Sequence, residues 1–136
     1  MILSELWLGG GILWEKEKPW VPIKGPIFRS GKYDRPIYFY HELNDYCPIS
    51  IIEFRLNSNF AKNNGKFSIE FFGVYNKQNN EITSKNIYDE KNQIFQMIFD
   101  EPVFTFNELY LNNVYISQYT DKEAEKILGL QFRVIK

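Results

Sequence analysis

Cysteine is nearly absent from this chain. Cys47 is the single one among 136 residues, so no intrachain disulfide and no cysteine cage for zinc can form. A structural thiol in a protein folded in reducing cytoplasm is the expectation. Long apolar runs are missing too: no stretch approaches the roughly 18 residues needed to span a bilayer. No basic segment precedes the first apolar residues, and Gly9-Gly10-Gly11 interrupts them, so neither a signal peptide nor a membrane partner is expected. Charge of one sign is lacking as well. Sixteen Lys and Arg against seventeen Asp and Glu leave a net charge of −1, without the basic footprint that would hold nucleic acid by its phosphates.

Apolar residues, at 44%, and aromatics, at 18%, are plentiful, which excludes a disordered tail. A chain of this length folds to a radius of about 14 Å and buries roughly two-thirds of its unfolded surface, enough for one core. Three segments are expected: a hydrophobic arm at 1–18, a proline-rich connector at 19–26 and one domain at 27–136. In the first, Ile2 to Leu8 and Ile12 to Lys16 flank the triple glycine, a pattern that predicts a β-hairpin. An isolated hairpin is marginal in water, so its Leu and Trp side chains must be covered by the rest of the domain or by another subunit. Pro19, Pro22 and Pro26 exclude helix from the connector.

From Ile27 onward the pattern predicts repeated strands. The expected strands are Pro36 to Tyr40, Ile49 to Leu56, Phe67 to Tyr75, Gln93 to Phe99, Val103 to Phe106, Glu108 to Ser117 and Leu130 to Val134. Phe67, Ile69 and Phe71 alternate with Ser68 and Glu70, as a half-buried strand requires. Asn63-Asn64-Gly65, Asn76 to Asn80 and Asp89 to Asn92 supply turns, because Asn, Asp and Gly tolerate positive φ. One helix is expected near the C-terminus: Thr120-Asp121-Lys122-Glu123 is a capping box, Ala124, Ile127 and Leu128 form a stripe, and Gly129 stops it. The fold class is therefore all-β, a β-sandwich for which jelly-roll connections are one form, with a hairpin arm and one short helix that plugs an end.

Familiar catalytic patterns fail in turn. Gly25 to Lys32 has five residues between Gly25 and Gly31, and Tyr33 stands where a P-loop needs Ser or Thr. The triple glycine lacks the dinucleotide fingerprint. His41, Glu42, Asp45 and Cys47 cluster in sequence, yet a Cys–His pair needs an orienting group and an oxyanion site; a loop with one buried thiol is the simpler reading. Glu53, Glu70, Asp100 and Glu101 are carboxylates of the type glycoside hydrolysis uses, and solvated strand faces carry such residues routinely. The expectation is a protein that is not an enzyme and has no cofactor or metal.

Two signals remain. The first is the apolar arm, where Trp7, Leu8, Ile12, Trp14 and Trp20 are the candidate subunit-interface anchors, large rigid side chains being the usual source of interface energy. The competing reading is a hairpin folded back on its own domain. The run Leu6-Trp7-Leu8-Gly9-Gly10-Gly11-Ile12-Leu13-Trp14-Glu15-Lys16-Glu17-Lys18-Pro19 resembles the opening of small tail-associated structural proteins of bacteriophages. That resemblance implies a virion component of the tail, baseplate or neck, made in the host cytoplasm and assembled in several copies with other virion proteins or itself. The second signal is tyrosine placement. Tyr38 and Tyr40 share a strand face, and Tyr75, Tyr110, Tyr115 and Tyr119 are expected near strand ends. Aromatic platforms beside amide-rich turns suit carbohydrate, which makes a module for host-surface glycan, with Tyr38 and Tyr40 as its platform, the alternative function. Cross-strand packing of half-buried tyrosines explains the same pattern without a ligand.

Overall fold

The computed structural model describes residues 19–23, 27–30, 35–38 and 42–136, with backbone alone at 27–30, 35–38 and 42. Two antiparallel sheets face each other. The first has five strands: β1 (Val21–Pro22) at one edge, then β11 (Gln131–Val134), β4 (Ile49–Arg55), β8 (Ile94–Val103) and β7 (Ser84–Asp89). The second runs β2 (Ile27–Ser30), β3 (Arg35–Tyr38), β10 (Leu109–Asn112), β5 (Ser68–Phe71). A two-stranded ribbon pairs β6 (Val74–Tyr75) with β9 (Thr105–Phe106). All registered pairs are antiparallel.

Alternation along the strands builds the core. Ile52 and Phe54 of β4, Phe95, Met97 and Phe99 of β8, and Phe132 of β11 all turn inward. Ile69, Leu109 and Leu111 meet them from the other sheet. Ring contacts tie the layers together: Phe54 lies 6.1 Å from Phe71, and Phe71 lies 4.8 Å from Phe106. Such aromatic contacts add specific geometry to the burial of apolar area. The expected all-β sandwich with a short C-terminal helix is thus present.

Several boundaries differ from the sequence reading. The strand expected over Phe67 to Tyr75 is broken at Gly73, whose φ of +149° no L side chain adopts comfortably. The expected strand from Glu108 ends at Asn112, where Asn113 takes φ +63° and turns the chain out of the sheet. Ser84–Asp89, not anticipated, is the edge partner of β8 through six registered pairs. Four of its six side chains are exposed, which left little apolar signal to read.

The largest departure is a second helix. Asn63 and Asn64, expected in a turn, lie in α1 (Ser58–Asn64). The Asn57 side chain accepts the N–H of Asn59 at 2.9 Å and starts the helix. Ala61 is its buried residue, and Gly65 closes it by donating to the Ala61 carbonyl at 3.2 Å. The expected helix is α2 (Asp121–Leu128). Its capping box is complete: Thr120 Oγ1 accepts from Glu123 N, and Glu123 Oε1 accepts from Thr120 N. Gly129 ends it in the left-handed conformation at φ +51°. Among the described residues, no helix is long and apolar enough to cross a membrane.

Candidate functional site

A pocket of about 360 Å³ opens where α1, the loop after β10 and α2 come together. Its volume lies within the range of small-ligand sites. Phe60 of α1, Tyr119 and Ile127 of α2 supply half-buried apolar surface, and Asn59, Asn63, Asn64, Gln118 and Tyr115 supply the polar groups. None of the eight lining side chains is charged.

Local sequence explains how the loop presents its groups. Val114 packs against the core and Ile116 is fully buried, so in an extended segment the residue between them must face away. That residue is Tyr115, 71% exposed. Asn64 fixes it from α1: its Oδ1 accepts the Tyr115 N–H at 2.9 Å, and its Nδ2 donates to the Asn113 carbonyl at 3.0 Å. A turn closed by Tyr119 N donating to the Ile116 carbonyl at 3.0 Å then sets Gln118 at the rim. Asn64 is consumed by this bracing. Asn63 commits one bond, Nδ2 to the Asn59 carbonyl at 3.3 Å, which leaves its oxygen available. An uncharged pocket with one exposed ring and amide groups on its rim can stack a C–H face and pair with hydroxyls.

A second cluster lies on the outer face of the five-stranded sheet. Arg133 and Glu53 are register partners, joined Nε to Oε1 at 2.8 Å with side chains 12% and 13% exposed. The other Glu53 oxygen takes Gln96 Nε2 at 2.8 Å from β8. One step along, Arg55 Nε donates to Gln131 Oε1 at 2.6 Å. Trp20 sits over both cations, its ring centroid 4.3 Å from the Arg55 guanidinium carbon and 4.5 Å from that of Arg133, a cation–π arrangement. Burial and then the charge of Arg133 hold the Arg55 guanidinium below its ordinary value.

The candidate interface residues Trp7, Leu8, Ile12 and Trp14 lie outside the described residues, as do Tyr40 and His41. Trp20 is the described member of that set, and it is half-buried on the arginines. Tyr38 ends β3, paired with Ile27 and Leu109. The carboxylates are dispersed: Glu53 is in the outer-face ion pair, Glu70 is on the other sheet beside Asn112, and Asp100 and Glu101 bind Thr83 and Asn76. Among the described residues no group of three or more His, Cys, Asp or Glu is placed to hold a metal ion.

Cys47 donates to the Leu43 carbonyl at 3.5 Å, and burial pushes its thiol from 9.0 up to about 11. The thiolate is the nucleophile, so alkylation of the native protein at pH 8 should be far slower than in denaturant. Because the unfolded chain loses this proton at lower pH, ionisation favours unfolding, and the thiol's contribution to stability declines between about pH 8.5 and 11. Mass-spectrometric labelling against pH measures both; equal native and denatured rates at pH 8 would contradict the burial.

Sequence reading named Tyr115 and Tyr119 among its tyrosines but missed the pocket, because it read the Asn-rich segment opposite them as a turn. Asn57 followed by Ser58, with Phe60 and Ala61 one turn on, was the available helix-start signal. Compared with protein-family models, curated proteins and solved structures, the chain matches none.

Proposed function

We propose that this protein is a non-enzymatic β-sandwich module that binds a neutral host-surface glycan in the pocket between α1, Tyr115 and α2. The observation that supports this reading is the pocket's chemistry: an exposed tyrosine ring whose backbone is held by Asn64, and amide groups on the rim, with no charged lining residue. A sugar offers apolar C–H faces and many hydroxyls, and these groups match a ring and amides better than they match charged side chains. The platform is then Tyr115 rather than Tyr38 and Tyr40. An array of neutral and acidic glycans probed with the full chain tests this: neutral oligosaccharides should bind, and silence across the array would sink the proposal.

A second reading is compatible with the first: a phage tail, baseplate or neck component that assembles through the apolar segment at 1–18. Its support is the root of that segment. Trp20 and β1, which follow it in the sequence, are fixed on the five-stranded sheet by two arginines and by pairing with β11. Light scattering on the full chain and on a version lacking 1–18 separates the outcomes. Self-association lost on truncation supports an assembly arm, whereas two folded monomers of matching compactness reject it.

A further inference from the structure

The five-stranded sheet ends on β7, whose outer edge has no partner strand among the described residues. The phase of the ladder fixes which backbone groups face that edge. Asp100 N donates to the Thr83 carbonyl at 3.0 Å, one position before the opposed pair Ser84 and Phe99. Bonded pairs alternate along an antiparallel ladder, so Lys85, Ile87 and Asp89 bond to β8. Asn86 and Tyr88 therefore turn their N–H and C=O groups outward. An edge of this kind is a template for another strand.

The side chains sort with the same period. Lys85, Ile87 and Asp89 share the outer face with Gln96, the register partner of Ile87. All three are exposed, Ile87 at 42%. Tyr88 lies on the other face, edge-on against Phe67 at 5.5 Å and 86°. At the rise of a strand, Lys85 and Asp89 stand about 13 Å apart, too far to pair with each other. The Asp89 carboxylate caps the turn into β8: Oδ1 accepts from Lys91 N and Asn92 N, and Oδ2 accepts from Asn92 Nδ2 at 2.8 Å. Those bonds, the Asn92 side chain's first, hold its pKa below the ordinary carboxylate value and fix where the charge stands.

From the outward backbone groups and this order of charges, we infer that β7 pairs antiparallel with β7 of a second copy of this chain, about a two-fold axis through Ile87. Asn86 then exchanges both backbone bonds with the partner's Tyr88, and Tyr88 does the same with the partner's Asn86. Ile87 meets the partner's Ile87, and Lys85 meets the partner's Asp89 on each side of the axis. These side-chain pairs fall at the non-bonded positions, where opposed residues come closest. Other registers lose the match. A one-residue slip sets outward backbone groups against inward ones, and two-residue slips put Ile87 opposite either Lys85 or Asp89. Lysine on an edge ordinarily repels a second strand; here the two-fold brings it to a carboxylate. This pairing depends neither on the glycan pocket nor on the segment at 1–18.

The test is sedimentation equilibrium of the full chain from about 10 μM to about 1 mM, since edge pairing buries little area and binds weakly. Mass should rise toward that of a dimer with concentration. Amide exchange at Asn86 and Tyr88 should slow over the same range, while Lys85 and Ile87, already bonded to β8, stay unchanged. Lys85→Glu sets like charges together on both sides of the axis and should raise the dimer Kd at least about tenfold. Asp89→Lys should do the same with the opposite sign. An equimolar mixture of the two folded variants should dimerise again, because each charge then faces its opposite. A monomer at every concentration, a Kd that Lys85→Glu leaves unchanged, or a mixture that stays monomeric would each overturn the pairing. So would protection of Asn86 and Tyr88 that is independent of concentration, which would mean that the chain covers this edge itself. Lys85 is exposed and outside the turn, so its variant decides the question even where Asp89→Lys, which removes the cap, fails to fold.

Discussion

Replacing Phe132 with alanine is expected to destabilise the fold by about 3–5 kcal/mol, as large-to-small truncations of buried aromatic residues do. Phe132 is fully buried on β11, where it is the register partner of Val21 on one side and Phe54 on the other. Its ring meets Tyr46 edge-on at 5.3 Å and 84°. The site is confined by strands on both sides, so the void cannot collapse without breaking sheet pairing, and the cost should fall in the upper part of that range. Domains of this size hold about 5–15 kcal/mol in total, which makes this single change a large fraction of it. Denaturant unfolding should show a lower midpoint with an unchanged slope. Phe72→Ala is the control: that ring is 67% exposed, and its loss should stay within about 0.5 kcal/mol. Equal effects of the two changes would place Phe132 outside the core.

Tyr115→Ala should do the opposite, leaving the fold intact while removing glycan binding. The exposed ring contributes little to the core, and the loop is held by groups the substitution does not touch: Asn64 grips backbone atoms of residues 113 and 115, and Ile116 remains buried. Stability should therefore change by no more than about 0.5 kcal/mol. Affinity for a neutral oligosaccharide should drop at least about tenfold, because truncating a central aromatic anchor removes its contact area outright. Tyr115→Phe keeps the stacking face and should retain most of the binding. Asn64→Ala leaves the ring but unfastens its backbone, so it should weaken binding with the ring still present. Unchanged affinity in Tyr115→Ala would remove this pocket from consideration.

Sandwich architecture was legible in the sequence because it rests on period-two alternation. Phe67, Ile69 and Phe71 against Ser68 and Glu70 declared the inward face of β5, and the structure buries Ile69 while exposing Glu70. The C-terminal helix was legible from local chemistry alone, since a capping box and a terminal glycine specify both ends within a few residues. Where the signals competed, reading failed. Asn63-Asn64-Gly65 has turn composition, yet tertiary packing of Ala61 and the Asn57 cap hold it as helix. The outer-face ion pair was equally hidden. Glu53 and Arg133 are 80 residues apart and meet only through strand order, which no local pattern encodes. The tyrosine pocket inherits both difficulties, for it joins a misread helix to a loop about fifty residues away.

The most direct test of the central claim is an amide-shift map of the labelled full chain with a neutral oligosaccharide that binds on the array. The account predicts saturable shifts concentrated at residues 59–64, 115–119 and 127, and their disappearance in Tyr115→Ala. Shifts centred on the strand that contains Tyr38, or saturable binding with no change near Tyr115, would contradict it.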